Sequence, residues 1–594
     1  MPITGHARRL SVAVLAAGLA ASVHAEPHGL FAPPLRLSEV RSAQRLPDKR
    51  LEESRVPAHV TVVTEEDIRL SGAKSLQELL AAQMGVVTYD DVGNQFQQTV
   101  DLRGFNATPG PAAAVYVDGV RINESNLGQV NYHLVPLEQV ERIEIHRGPS
   151  TLYGRNALAG VIHISTKRGA AAFAAEAGAG YGSFERRKGW LSVGDRLGDL
   201  DYQVVASRED DGGHRRHSDV GVGATLLKLG YRLSEGSDVA VSYARADDRV
   251  QQPGSLTGAE LAADPRQNRS EADHISRLDF FTYNQRQALA ADFSLAVNGF
   301  YRKRREDTPL NRGRSSISRS LAELKSSGLT GQLSRDWEVL GRRNIATFGV
   351  EALRGEADTS SLYSFGGAPT FSGAFTRDEA LGLFGQTVYD LSPDALTLTL
   401  GLRYDQATVR YDDRDTPANG GSQGFNRTNP RVGLNWNPSE AAGLYASYAE
   451  AFRSPTVNEI SALGPFGSGA LKPVKARNYE LGGRFAPTGW SQLRAAAFWD
   501  DVSDEIYPVF DTTLGYGRNI NVDKTRRTGV EWGGTAAWRD RVEWRWSHTF
   551  TRSTFQSDMQ LDKPPYVAAQ RVAKGDSIPM VPPHRVARGL QVRP

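Results

Sequence analysis

The sequence contains no cysteine, so disulfide bonds and thiolate metal sites are excluded. It also lacks an excess of one charge, because 70 lysines and arginines stand against 68 aspartates and glutamates. A nucleic acid partner is therefore not expected. No H-E-x-x-H, G-x-S-x-G or Walker motif is present, and no thiol nucleophile is available. We expect a protein that is not an enzyme and that needs no cofactor or bound metal.

Long hydrophobic runs are also missing. The longest apolar run, Leu10 to Val23, is shorter than the roughly 20 residues that a membrane-spanning helix needs. Arg8 and Arg9 precede this run. At its end, the small residues Val23 and Ala25 stand at the two positions that a signal peptidase reads. Residues 1–25 are therefore predicted to be a signal peptide rather than a membrane anchor. Any residence in a membrane would have to be as a β-barrel.

Glycine and aromatic residues are plentiful, with 59 glycines, 22 phenylalanines and 20 tyrosines. After Gly169 the apolar residues recur with a period of two. The clearest example sets Leu396, Leu398, Leu400, Leu402 and Tyr404 against Thr397, Thr399, Arg403 and Asp405. Such segments, separated by turn residues, are typical of a transmembrane antiparallel β-barrel with a polar lumen. A soluble sandwich would show the same alternation in shorter strands. Three polar insertions are predicted to be extracellular loops: 248–269, 360–374 and 412–426.

The part before Gly169 has a different pattern. Residues 26–54 are polar and contain several prolines, which predicts a flexible segment. Residues 55–169 read as a small α+β domain. It has a strand at 60–63, two short helices, a strand at 99–103, and a hairpin that turns at Asp118-Gly119. Each helix is predicted to begin with a capping box, Thr64 with Asp67 and Ser75 with Glu78.

One stretch gives the chain its family likeness: ERIEIHRGPSTLYGRNALAGVIHIST, residues 141–166. It reads as a strand, a compact turn-rich segment and a second strand. Together with DLRGF, YVDGVRI, AEAFRSPTVNEI and LKPVKARNYELG, it resembles phrases of TonB-dependent outer-membrane receptors. The resemblance implies an N-terminal α+β plug domain, residues 55–169, inside the lumen of a transmembrane β-barrel, residues 170–594. Barrels of that family have 22 strands, whereas about 18 are recognisable here.

The resemblance also implies a functional site and a partner. The arginines of the family's L-R-G and R-G-P phrases, which match Arg103 and Arg147, face two barrel glutamates that match Glu480 and Glu531. We expect these contacts to be open to water, so that they exchange at modest cost. The alternative is that each is only a lumen-facing charge with whatever neighbour is near.

A TonB-type periplasmic energising protein is expected to pair with a short strand in the flexible segment. The best placed candidate for this energy-coupling segment is LSEVR: Leu37, Ser38, Glu39, Val40 and Arg41. It departs from the usual pattern, because Arg41 and Ser42 stand where valine and threonine are common. A plain linker is the alternative at this location.

The function implied by the resemblance is TonB-dependent active uptake of a scarce chelate, by default a ferric siderophore, across the outer membrane of a Gram-negative cell. We expect a monomer surrounded by outer-membrane lipid. Cobalamin or another large solute is the alternative within the class. Haem is disfavoured, because the haem receptors of the resembled family usually have a histidine in the stretch that matches Phe452 to Lys472, and this sequence has none there. A passive porin or a surface adhesin is the alternative from another class, although a porin would need neither a plug nor a coupling segment.

The last residues disagree with a complete barrel. Family members follow a phrase like IPMVPPHRVARGL, residues 578–590, with further strands and a terminal aromatic residue, whereas this sequence ends in QVRP. We therefore expect a truncated or frameshifted reading of a longer receptor, with a gap or strained closure between the strand near Phe173 and the one near Arg585. The alternative is a narrower barrel that closes by regular pairing of those two strands.

Overall fold

The structure, a computed structural model, describes residues 41–42, 51–52, 55–90, 98–105, 112–124, 128, 130–312, 317–364, 368–460, 470–511, 516–538, 541–560 and 571–592. In this part of the chain, no helix is long and apolar enough to cross a membrane.

An α+β domain forms the N-terminal part. Its elements are β1 (Arg41–Ser42), β2 (Leu51–Glu52), β3 (Val60–Thr64), α1 (Glu65–Leu70), α2 (Leu76–Ala81), β4 (Val86–Asp90), β5 (Gln98–Leu102), β6 (Ala113–Val117), β7 (Val120–Arg121), β8 (Val140–Arg147) and β9 (Gly160–Thr166). The main sheet has the order β3-β8-β9-β6-β7, and β6 and β9 run parallel. The apolar side chains on one face of this sheet form a buried core with those of α2.

The two helices begin as the sequence predicts, with one difference. The Thr64 side chain accepts a hydrogen bond from the Asp67 amide, and the Asp67 carboxylate accepts one from the Thr64 amide, which is a complete capping box. At α2, Ser75 accepts from the Glu78 amide, but the Glu78 carboxylate accepts from the Lys74 amide. The second box is therefore only half formed, because Glu78 reaches one residue further back.

The hairpin at Asp118-Gly119 is confirmed. Both residues have positive φ, 49° and 81°, and they join β6 to the short β7. Positive φ at both central residues is what a two-residue hairpin turn requires, and Asp-Gly adopts it at low cost.

The barrel strands are long. They are β10 (Ala174–Tyr181), β11 (Arg187–Leu197), β12 (Leu200–Asp211), β13 (Val220–Ser234), β14 (Ser237–Gln252), β15 (Ala272–Ala288), β16 (Phe293–Arg312), β17 (Ile317–Val339), β18 (Arg342–Ser364), β19 (Thr370–Ser392), β20 (Leu396–Asp413), β21 (Gly421–Ser439), β22 (Ala442–Arg453), β23 (Val474–Thr488), β24 (Ser491–Asp511), β25 (Tyr516–Trp538), β26 (Val542–Phe555) and β29 (His584–Val592). Outside this sheet lie α3 (Gly258–Ala263), α4 (Val457–Ile460), β27 (Met559–Gln560) and β28 (Arg571–Val572).

Within the described residues, these barrel strands form one 18-stranded sheet in which each strand pairs with its neighbour in the chain and β29 follows β26. The pairings are antiparallel. The sheet begins at β10 and ends at β29, and no pairing joins these two strands in the part of the chain that the structure describes. The regular closure that was the alternative is therefore not found among the described residues, whereas the truncation itself stays a prediction.

The two faces of the sheet differ as the alternation predicts. On β20, Leu400 and Leu402 are 43% and 55% exposed, whereas Thr399 and Arg403 on the other face are each 2% exposed. The outward face is thus apolar, and the polar face is covered by the N-terminal domain, which fills the lumen. This arrangement suits a barrel in lipid.

The predicted loops are shorter than expected. Strand β18 continues to Ser364 and β19 begins at Thr370, while β20 continues to Asp413 and β21 begins at Gly421. Most of 360–374 and 412–426 is therefore strand, because cross-strand pairing continues past the length that a bilayer requires. In the predicted loop 248–269, the first five residues are the last residues of β14, and the rest of the loop contains α3.

The connections at the two ends of the sheet also differ in length. At one end β11 ends at Leu197 and β12 begins at Leu200, and β17 ends at Val339 and β18 begins at Arg342. At the other end the chain runs from Gln252 to Ala272 and from Arg453 to Val474 between strands. Short turns mark the periplasmic end of such barrels, and longer connections mark the extracellular end.

We predict that Gly160→Ala loosens the contact between β8 and β9. Gly160 has a φ of 145° and lies opposite Arg147, and an added Cβ would lie 2.2 Å from the carbonyl oxygen of His146. Overpacking of this kind costs about 1–3 kcal/mol. Hydrogen exchange of the full chain should show faster exchange in β8 and β9.

The matched control for that variant is Gly72→Ala. Gly72 also has positive φ, 65°, but a Cβ there would meet no atom within 4 Å, so the variant carries backbone strain without the clash. Equal protection of β8 and β9 in both variants would show that the close approach at Gly160 is unimportant.

Candidate functional site

The candidate site is a cluster of charged side chains where the N-terminal domain meets the barrel wall. Arg103 lies just after β5 and has a φ of 57°, followed by Gly104 with a φ of 78°. Left-handed backbone is unfavourable for a residue with a side chain and is retained where the surroundings hold it. The turn aims the Arg103 side chain at the barrel instead of at the domain core.

Arg103 bridges both predicted glutamates. Its Nη1 lies 2.7 Å from Oε2 of Glu480 on β23, and its Nη2 lies 2.8 Å from Oε2 of Glu531 on β25. The guanidinium also stacks on Phe498 of the intervening strand, 4.1 Å from the ring centre. One arginine therefore ties two barrel strands to the N-terminal domain.

Arg147 makes a more limited contact. Its Nε lies 3.6 Å from Oε2 of Glu531, while its Nη1 donates to the Thr61 hydroxyl at 2.8 Å and its Nη2 donates to the carbonyl of Met84. The structure thus brings all four predicted residues together. Arg147 approaches only Glu531 and otherwise holds parts of its own domain.

Sequence reasoning missed two members of the cluster. The Tyr445 hydroxyl donates to Glu480 Oε1 at 2.7 Å, and the His59 amide donates to the same oxygen at 3.1 Å. The Nδ1 atom of His59 lies 3.2 Å from Glu531 Oε2. Neither residue stands in a recognisable phrase, so only the fold brings them to the site.

The surroundings of His59 favour its neutral form. Burial lowers the pKa of its imidazole below the ordinary value, and the nearby Arg147 lowers it further, against the opposing effect of Glu531. In the neutral tautomer with its proton on Nδ1, the imidazole would donate a hydrogen bond to the Glu531 carboxylate without adding a charge to the cluster.

The expectation of water-accessible contacts is wrong. The side chains of Arg103 and Glu480 are each 1% exposed, and those of Arg147 and Glu531 are 0% exposed. Gly85 explains part of this close fit, because a Cβ there would lie 2.2 Å from Glu531 Oε1. Buried charges are costly without their partners, so the contact is a tightly fitted one that does not exchange freely with solvent.

Two further ion pairs join the domain to β19. Arg155 contacts Asp378 through both of its terminal nitrogens, at 2.5 and 3.0 Å, and also donates to Ser454. Arg55 donates to both carboxylate oxygens of Asp390, at 2.7 and 2.8 Å. Arg155 lies in the turn-rich segment that the sequence analysis describes, but no pattern in the sequence indicates that Asp378 is its partner.

The predicted energy-coupling segment is described only at its last residue. Leu37 to Val40 lie outside the described residues, and Arg41 begins β1, where it pairs with Glu52 of β2. The location of the segment that binds the energising protein therefore stays a prediction.

Comparison with known families gives two matches. Residues 52–161 match the TonB-dependent Receptor Plug Domain, and residues 180–592 match the TonB dependent receptor-like, beta-barrel family.

Relatives and solved structures agree with these matches. The chain is 27% identical over 450 residues to the vitamin B12 transporter BtuB of Vibrio cholerae serotype O1, an alignment that covers 73% of this chain and 66% of the relative. The chain thus spans about two-thirds of that relative's length.

Among solved structures, the unliganded ferric citrate transporter FecA has a TM-score of 0.78 at 18% identity, covering 91% of this chain and 83% of that chain. The ferric yersiniabactin uptake receptor FyuA of Yersinia pestis has a TM-score of 0.74 at 18% identity, covering 90% and 83%. At these identities the likeness is one of fold. Since the two family matches follow each other over the N-terminal domain and the barrel, the chain belongs to the TonB-dependent receptors, outer-membrane β-barrels that carry a plug domain.

Proposed function

We propose that this protein takes up a ferric siderophore across the outer membrane in a TonB-dependent manner. The observation that carries the proposal is the seating of the plug inside the barrel, where Arg103 bridges two buried glutamates of the wall. A passive porin would need an open lumen. A plug fixed by buried charges is instead suited to a transporter that opens only when work is done on it.

The path of the chain supports coupling from the N-terminus. Arg55 is bound to Asp390, and four residues later the His59 amide and ring contact Glu480 and Glu531. Tension on residues 26–54 would therefore load the Arg55 pair first and the buried cluster next. Coupling and ligand recognition would then lie on separate parts of the chain.

The comparisons support a chelate as substrate, and the similar proteins bind two kinds of chelate. Solved neighbours include a ferric citrate transporter and a ferric yersiniabactin receptor. The relative reported above is a vitamin B12 transporter, which makes cobalamin the second candidate. Both ligands are scarce and too large for simple diffusion, so either fits a plugged barrel.

Growth of an iron-starved strain that lacks its own receptors tests the substrate. We expect the full chain to restore growth with at least one member of a siderophore panel. Rescue of a cobalamin-dependent strain by cobalamin, without rescue by any siderophore, would favour the second candidate. Equal uptake with and without a functional energising protein would contradict the proposed mechanism.

Deleting residues 26–50 should leave ligand binding near normal and abolish uptake, because the deletion removes the segment that transmits tension and spares the plug and the barrel. Binding to whole cells and accumulation of labelled ligand measure the two effects separately. Uptake equal to that of the full chain would show that coupling lies elsewhere.

Replacing Arg103 and Arg147 together by alanine should loosen the plug and raise permeability to unrelated solutes. Both glutamates would stay buried without their cations, and breaking a buried pair in this way costs about 3–5 kcal/mol. Entry of a large antibiotic into intact cells and protease sensitivity of the plug report the change.

Two variants sharpen that experiment. Adding Glu480→Gln and Glu531→Gln to the double variant removes the unpaired charges and should restore part of the protease resistance. Arg343→Ala breaks an exposed pair with Asp336, 2.9 Å long, and should change neither readout. A double variant as tight as the Arg343 control would overturn the view that these charges hold the plug.

A further inference from the structure

Three alternate residues on the inward face of β25 meet the plug: Arg527, Gly529 and Glu531. Glu531 binds Arg103. Gly529 leaves room for the Phe498 ring on which Arg103 stacks, because a Cβ at this glycine would lie 2.5 Å from that ring. Arg527 is completely buried and contacts the same turn of the plug.

The contacts of Arg527 are to the two residues that follow Arg103. Its Nε donates to the carbonyl of Gly104 at 3.2 Å, and its guanidinium lies over the Phe105 ring, 4.5 Å from the ring centre. Both of these groups are uncharged. One barrel strand therefore contacts three consecutive residues of the plug turn.

The charge of Arg527 is neutralised within the barrel wall. Its Nη2 and Nη1 atoms lie 2.5 and 3.0 Å from the two carboxylate oxygens of Glu505 on β24, and Nη1 also donates to the Thr525 hydroxyl at 2.8 Å. A pair with two parallel hydrogen bonds fixes the plane of the guanidinium. Since these partners belong to the wall, the Arg527 side chain is held in place without help from the plug.

The Cα of Gly104 is also closely surrounded. This glycine has a φ of 78°, and a Cβ there would lie 2.8 Å from the Val581 side chain and 3.0 Å from the Ser553 hydroxyl. The turn is thus held at its carbonyl by Arg527 and at its Cα by two further wall residues. Left-handed backbone such as that of Arg103 is retained only where the surroundings fix it, and these contacts fix the residue next to it.

We propose that Arg527 is a positioning residue that acts through Arg103. It fixes the backbone of the plug turn, and this turn directs the Arg103 guanidinium between Glu480 and Glu531. Because Arg527 touches only a carbonyl oxygen and an aromatic ring of the plug, it leaves no unpaired charge when the plug moves away. A separate anchor, by contrast, would hold the plug whether or not Arg103 is present.

This role rests on the seating of the plug, on which the proposed function also depends. Its test is the protease resistance of the plug in the purified full chain in detergent. That measurement requires neither a transported ligand nor the energising protein. The role of Arg527 can therefore be refuted while TonB-dependent uptake is confirmed, and the reverse also holds.

A double-mutant cycle separates positioning from independent anchoring. The pair variant Arg527→Met/Glu505→Gln removes the contact without leaving a buried, unpaired carboxylate. We expect its plug to be cleaved about tenfold faster than that of the wild type, a change of the size found for residues of one network. In the Arg103→Ala background, the same two substitutions should change the rate by less than about twofold.

The matched control is Arg155→Met/Asp378→Asn, which removes a different pair between plug and wall. Among the described residues this pair shares no partner with Arg103, so it should multiply the cleavage rate by the same factor in both backgrounds. An undiminished effect of the control in the Arg103→Ala background also shows that the plug of that variant can still be loosened further.

Two results would overturn the proposal. The first is an equal factor for the pair variant in both backgrounds, which would make Arg527 an independent anchor. The second is full protease resistance in Arg527→Lys, because lysine supplies the charge but not the planar fork that reaches Glu505 and the Gly104 carbonyl together. Heat-modifiable gel mobility checks that each barrel is folded, and Arg527→Lys replaces the pair variant in the cycle if that variant does not fold.

Discussion

The seating of the plug depends on charges that are buried together from two domains. Glu480 and Glu531 lie on β23 and β25, and neither domain could bury its own members of the cluster alone at tolerable cost. Arg103 supplies the charge that both carboxylates need, and its left-handed backbone directs the side chain to them. The plug and the wall are thereby fixed in one relative position, since a displaced plug would leave two buried carboxylates unpaired.

Hydrogen bonds from outside the arginines complete the cluster. Tyr445 and His59 provide hydrogen bonds to carboxylate oxygens that a single guanidinium cannot cover. Since His59 belongs to the short stretch between Arg55 and β3, the cluster is linked directly to the beginning of the plug. A movement of that stretch would remove hydrogen bonds from both glutamates together.

The sequence predicted the period-two strands, the plug elements and the four charges, because each depends on local pattern or on a recognisable phrase. It could not predict that Asp378 and Asp390 are the partners of the plug. Many inward-facing charged residues lie on the barrel strands, and the sequence does not distinguish among them. Which of them contacts the plug follows from strand register and plug orientation, neither of which local pattern encodes. The burial of the cluster was missed for the same reason: Gly85 and Phe498 cover it from distant parts of the chain.

The anchors of the plug are distributed in a way that orders their release under the proposed function. Asp390 lies near the short-turn end of β19, and Asp378 lies twelve residues nearer the extracellular end of the same strand. Tension from the periplasmic side therefore acts first on Arg55 and Asp390, next on His59 and the buried cluster, and last on Arg155 and Asp378. The contact at Arg55 is the one that solvent reaches in part, because its second partner, Asp394, is solvent exposed, although Asp390 itself is buried. The buried cluster then sets the main barrier, and the contact at Asp378 can hold the rest of the plug to the wall while the first part moves.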